Sequence, residues 1–125
     1  MFDLNDYIGK PYAIDGGDGI NTFNCATLYR AVTGIDATII PTCQSGSRIE
    51  IIKAIRENKK HYNILTEPKE GCIVALSQLR NPHHVGVWVS GGVLHCLEKV
   101  GVIFSTLDNL KLNGYTWEFG ELKNG

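Results

Sequence analysis

The sequence predicts an α+β domain, and three observations predict it. Apolar residues recur at helical spacing just after residue 24, and a helix-start signal stands at residues 47–50. From residue 72 onward the apolar residues run continuously or alternate, as strands do. Helices followed by strands joined through short turns give an antiparallel sheet of four or five strands, with the N-terminal helices packed on one side. The chain has 125 residues, 43% of them hydrophobic and 20% charged. That is enough for one core and too little for two, so a single domain over 1–125 is expected. Twelve basic residues against thirteen acidic ones give a net charge of -1. A high apolar content near neutrality argues against disorder, and scattered, balanced charge argues against a nucleic-acid partner.

The elements follow in order. Asp3 to Ile8 suggests a short helical turn, stopped by Gly9-Lys10-Pro11-Tyr12 because a residue before proline avoids the helical region. Gly16, Gly17 and Gly19 then make a loop without the Gly-Lys-Ser/Thr of a phosphate loop. Cys25, Leu28, Tyr29 and Val32 are spaced as one helix face. Asn24 or Thr22 supplies the cap and Gly34 a left-handed stop, giving eight to ten residues with Cys25 in the first turn. Residues 35–46 are irregular. Ser47 and Glu50 then match a capping box, and a second helix is expected over about 48–60, ending beside a solvated His61. Cys72 to Leu76 reads as a buried strand and Asn81-Pro82 as a turn. His84 to Val89 alternates, Ser90-Gly91-Gly92 turns, Val93 to Leu97 returns, and strands over 102–107 and 115–119 complete the sheet.

Position singles out three residues for chemistry. A thiol in the first turn of a helix meets the positive end of its dipole and free backbone N–H groups, which favour the thiolate. Those N–H groups also suit the oxyanion of a tetrahedral intermediate. Cys25 is therefore either a nucleophile or a small core residue. His84, sharing a face with Gly86, is the candidate general base; the alternative is a solvent-facing loop end. His83 lies outside the alternation. His95 is the candidate orienter of His84, or else a buried histidine satisfied by a backbone carbonyl. A ruler resists this pairing. A Gly91-Gly92 loop pairs Trp88 with His95 and leaves His84 four residues away, about 13 Å. A twist, a bulge or another loop must close that gap.

No metal or cofactor is called for. The four cysteines (Cys25, Cys43, Cys72 and Cys96) include no Cys-x-x-Cys. A scattered metal set of Cys25, His84, His95 and Cys96 is the one alternative. The N-terminus shows no signal-peptide pattern and no stretch nears the roughly 20 apolar residues of a membrane span. Membrane insertion is thus not expected; the chain is expected to be made in the cytoplasm without a signal peptide, and to be either cytoplasmic or virion-associated.

The order of cysteine-helix and two histidine strands resembles the NlpC/P60 cysteine peptidases. Lys10-Pro11-Tyr12-Ala13-Ile14-Asp15-Gly16-Gly17 resembles the family's Pro-Tyr-x-x-Gly-Gly loop. Phe23-Asn24-Cys25-Ala26-Thr27-Leu28 resembles its Phe-Asp-Cys-Ser-Gly-Leu. His84-Val85-Gly86-Val87-Trp88-Val89 through Val93-Leu94-His95-Cys96 resembles its His-Val-Gly-Ile-Tyr hairpin and Ile-His-Ala, and Gly71-Cys72-Ile73-Val74 stands for its Gly-Asp-Leu-Val. The resemblance covers roughly residues 7 to 107. It implies a papain-like fold, Cys25 as nucleophile, His84 as base and His95 as orienter. It also implies a stem-peptide amino end held by Tyr12 and by positions 24 and 26. Asn24 and Ala26 replace the family's Asp and Ser there, which removes a carboxylate partner for an ammonium group. Cys25-Ala26-Thr27-Leu28 with Ala31-Val32-Thr33-Gly34-Ile35-Asp36 is similar to small members encoded among bacteriophage tail genes. That similarity implies either local peptidoglycan cleavage or a structural place among tail proteins.

Overall fold

The computed structural model describes residues 3–13, 17–34, 59–78, 81–97 and 99–122. Within them the fold is α+β, with two short helices and a six-stranded antiparallel open sheet. The strands are β1 (Tyr62–Leu65), β2 (Ile73–Gln78), β3 (Asn81–Val89), β4 (Gly92–Leu97), β5 (Gly101–Ser105) and β6 (Thr116–Leu122), and they lie in the order β1-β6-β2-β3-β4-β5. The helices are α1 (Cys25–Thr33) and α2 (Leu107–Leu112). Among these residues no helix is long and apolar enough to cross a membrane. The helix expected over 48–60 lies outside the described residues except at its end, where Lys59–His61 form a 3-10 turn.

Helix α1 matches its sequence signals. Asn24 caps it: its side-chain oxygen accepts the Thr27 N–H at 3.0 Å, and the Asn24 N–H is taken by the Thr27 hydroxyl at 2.9 Å. Two of the orphan donors at the helix start are thereby satisfied. Gly34 ends it at φ 73°, a conformation that glycine adopts without strain.

The sheet corrects several expectations. It has six strands rather than four or five, because β1 was not foreseen. Leu107 opens α2 instead of closing a strand, capped by the Thr106 hydroxyl, which accepts the Asn109 N–H at 3.2 Å. Asn81 and Pro82 are strand residues paired with Gln78 and Ser77, not a turn. Pro82 is tolerated because β3 pairs with β4 only from Gly86 onward, so one side of the strand is not used there. The hairpin loop is Ser90-Gly91, with Val89 paired to Gly92. Both loop residues have positive φ, 54° and 81°, as a two-residue loop of the twist-compatible kind requires.

Alternation divides the core between the two sheet faces, and the helices are not confined to one side. On the first face Ile73, Val85, Val87, Val89, Leu94, Cys96 and Val102 pack with Leu28 and Tyr29 of α1. On the second, Val74, Leu76, Val93 and Phe119 pack with Leu110 of α2. Val74, Leu76, Val87, Val93 and Leu94 are fully buried. Each contributes about 1.5–3 kcal/mol relative to exposure, so both faces hold the sheet. At the β5 edge, Gly9 donates its N–H to the Val102 carbonyl and Val102 donates to the Lys10 carbonyl, each at 2.9 Å. A β-carbon at Gly101 would meet that carbonyl oxygen at 2.4 Å, so only glycine admits the contact.

Candidate functional site

The site is built on β3, β4 and β5. His84 and His95 are both buried, and their rings meet edge to face with Nε2 of His84 2.9 Å from Nδ1 of His95. On its far side, His95 Nε2 lies 2.8 Å from the Ser105 hydroxyl. The result is one hydrogen-bonded chain, His84–His95–Ser105, across three neighbouring strands.

The register explains how the gap closes. Because the loop is Ser90-Gly91, His95 pairs with Gly86 and Trp88 with Val93. Continuing that ladder sets His84 two residues from His95 rather than four, about 7 Å along the strand. Two imidazoles span that diagonal easily. The same diagonal step recurs toward β5, where His95 pairs with Ile103 and Ser105 with Val93. A bulge at Leu76/Ser77 sets His84 opposite Leu76 and Pro82 opposite Ser77, which makes His83 the extra residue of β3. Gly86 completes the arrangement. A β-carbon there would lie 2.5 Å from a Val93 methyl, 2.9 Å from the Leu94 carbonyl and 3.2 Å from the His95 β-carbon. Its absence lets β4 come close beneath the two rings.

Burial lowers the pKa of His84 to about 4, since the charged imidazolium loses its water. His95 is also pushed down, first by burial and then by repulsion from a charged His84. Both rings are therefore neutral at pH 7. One proton lies in the His84–His95 bond, and the Ser105 hydroxyl is able to accept from His95 or donate to it.

The other predicted positions fall around this chain. Cys25 is the first residue of α1, directly after the Asn24 cap; its side chain and that of Ala26 are outside the described residues. Helix α1 packs against β3 and β4, the strands of the two histidines. Its buried residues Leu28 and Tyr29 cover the first face, whereas alternation puts His84 and His95 on the second, at the end of the β3–β4 ladder. Tyr12 is half-buried and bridges Phe23, two residues before Cys25. Asn24 is buried, and its side-chain oxygen serves the helix cap.

The alternative metal set fails at Cys96. This residue points to the face opposite His95, and its thiol donates to the Phe23 carbonyl at 3.3 Å. Among the described residues no cluster of His, Cys, Asp or Glu is arranged to hold a metal ion. Ser105 is the participant that sequence reasoning missed. Its pairing with the β4 face follows from the strand register, which no local pattern reveals. No family model matches the chain, and no curated protein matches it.

Proposed function

We propose that the protein is a cysteine hydrolase of the NlpC/P60 kind, with a papain-like fold, that cleaves an amide bond in peptidoglycan stem peptides. The observation that carries this reading is the buried His84–His95 pair at 2.9 Å. A neutral imidazole held in one orientation by a second ring has the lone pair that a general base needs, while the burial that lowers His84 to about 4 weakens it as a base. Cys25 stands at the start of a nine-residue helix, where the dipole and first-turn N–H groups favour a thiolate. Under this reading the first turn of α1, which packs on the other sheet face, must bring the Cys25 sulfur to His84 around the end of the β3–β4 ladder; His84 then takes the thiol proton as that sulfur attacks the scissile carbonyl. The tetrahedral oxyanion collapses to a thioester, and the proton passes from His84 to the departing amine. Water then attacks the thioester with His84 again as base, which restores the thiol and releases the acid.

Tyr12, Asn24 and Ala26 border the start of α1 and are the positions for the substrate's amino end. Asn24 brings no carboxylate, and its oxygen already accepts from Thr27. Recognition of an ammonium group there loses a charge-assisted bond worth about 1.5–3 kcal/mol.

A second reading is a non-catalytic part of a phage tail or similar assembly. What favours it is the packing of α1 on the sheet face opposite the histidine pair. Under it, His84 and His95 are a polar pair that fixes the register of the hairpin.

The two readings separate in one experiment. Purified peptidoglycan fragments are incubated with the protein and with Cys25→Ala, and products are resolved by mass. New amine and acid ends with the native chain alone support the hydrolase. Identical product profiles, together with iodoacetamide labelling of Cys25 that is indifferent to His84→Ala, overturn it.

A further inference from the structure

We infer that Cys96 is a positioning residue: its thiol ties the entry of α1 to the histidine strand β4 and so places Cys25 relative to the His84–His95 pair. The inference rests on the proposed hydrolase reading and adds a residue that this reading does not contain. Successive side chains of a strand point to opposite faces. His95 accordingly meets His84 on the second face, while Cys96, the next residue, turns to the first and donates its thiol to the Phe23 carbonyl at 3.3 Å. Phe23 immediately precedes the Asn24 cap, and Cys25 follows the cap. Two residues of chain span at most about 7 Å, so whatever fixes Phe23 fixes the start of the helix to within that reach. One strand thus grips His84 through one side chain and the approach to Cys25 through the next.

The bond closes a ring of contacts around Phe23. The Phe23 N–H is taken by the Pro11 carbonyl at 3.1 Å, and the Phe23 carbonyl also accepts the Ala13 N–H at 2.8 Å. Lys10, next to Pro11, accepts the Val102 N–H, and Val102 pairs with Cys96 across β4 and β5. The circuit Phe23–Cys96–Val102–Lys10–Pro11 returns to Phe23, and Phe23, Cys96 and Val102 are almost wholly buried. The Phe23 side chain adds a further hold. It stands just before the cap and shares one core cluster with Leu28, the fourth residue of the helix, an arrangement that fixes the angle at which a chain enters a helix. A thiol is a weak donor, and the Ala13 N–H satisfies the carbonyl without it. Loss of the thiol therefore keeps the Pro11 and Ala13 bonds and releases the helix entry from β4 alone. That release bears on chemistry more than on folding, because about 1 Å of misplacement between reacting groups costs on the order of a hundredfold in rate.

The test compares Cys96→Ala with Cys96→Ser in the full-length protein; serine keeps a donor and alanine does not. Phenylalanine labelled at its carbonyl carbon, combined with asparagine labelled at its backbone nitrogen, isolates the Phe23–Asn24 peptide bond, since no other phenylalanine precedes an asparagine. The carbon shift reports the hydrogen bonds made to the Phe23 carbonyl. The second readout is the pH dependence of iodoacetamide alkylation at Cys25, followed by peptide mass. In Cys96→Ala the carbonyl signal is expected to move upfield and the alkylation midpoint to rise by about one pH unit, which makes the reaction about tenfold slower at pH 7. Cys96→Ser should return both toward their native values. An unmoved carbonyl signal in Cys96→Ala overturns the inference. A moved signal with a native alkylation profile, still sensitive to His84→Ala, overturns the positioning role and leaves the hydrolase reading standing. A profile indifferent to His84→Ala in the native background removes the hydrolase reading, and the positioning role falls with it even where the carbonyl signal responds to Cys96→Ala. Should Cys96→Ala not fold, Cys96→Val provides the same donor-free comparison, and an unmoved carbonyl signal there again overturns the inference.

Discussion

A β-carbon added at Gly86 has no room to settle, because one of its three near contacts is the Leu94 backbone carbonyl at 2.9 Å. A side-chain methyl rotates away; a carbonyl engaged in a sheet does not. Gly86→Ala is therefore expected to push β4 from β3 and part the two imidazoles. The cost is about 1–3 kcal/mol, read as a lower midpoint in urea unfolding. The His84 and His95 ring signals should shift together in the same variant. The sequence already marked these residues: His84, Gly86 and Trp88 alternate against Val85, Val87 and Val89, and Cys25 begins a run with helical spacing. Strand alternation names the face of a residue without naming its partner across the sheet. That is why His84 and His95 were legible as candidates while their contact looked out of reach. It is also why Ser105, diagonal to His95 on a third strand, was not visible at all.

Elements bounded by strong local chemistry were readable, and those held by tertiary packing were not. Helix α1 has an Asn24 cap and a Gly34 stop, both written in the sequence. Asn24→Ala should cost about 1–2 kcal/mol by thermal unfolding, whereas Asn24→Asp keeps a capping oxygen and should cost little. Strand β1 has only four residues, of which Tyr62 alone is buried, and Ile64 faces outward. It exists because Tyr62 lies over Gly120, where a β-carbon would meet the ring at 2.5 Å. No alternation within four residues announces that. Helix α2 was hidden for a similar reason, since Leu107 and Leu110 are too few to outweigh the strand before them. Ser90-Gly91-Gly92 announces the hairpin, but its loop is Ser90-Gly91, one residue earlier than the two glycines suggest. Ser90 holds φ 54° in that loop, a conformation asparagine or glycine tolerates better. Ser90→Asn should therefore raise stability by about 0.5–1 kcal/mol in the same unfolding assay.

At the scale of the whole molecule, the two-faced core ties fold stability to the histidine pair. The folded-state pKa of His84 lies near 4 against an ordinary 6.5, and that of His95 is lowered as well. Between those values the unfolded chain binds more protons than the folded one, so stability falls as pH falls. The contribution is complete above about pH 6.5 and is lost on acidification toward pH 4. For His84 alone it is on the order of 3 kcal/mol. Urea midpoints measured between pH 7 and pH 4 should drop steeply, and a His84→Gln, His95→Gln double variant should show a flatter profile. The α+β class, with its order of helix then strands, followed from the early helical spacing and the later apolar runs. The placement of α1 and α2 on opposite faces does not, since the short α2 carries no helical pattern of its own in the sequence. The segment running alongside β5 has a consequence of another kind. Gly9 and Lys10 occupy the outward N–H and carbonyl of Val102, which would otherwise form a bare template for a neighbouring chain. Gly101→Ala, by levering Lys10 away, should convert a well-behaved solution into one that polymerises with concentration, visible in light scattering. Gly9 and Lys10 thus act as a guard against self-templating.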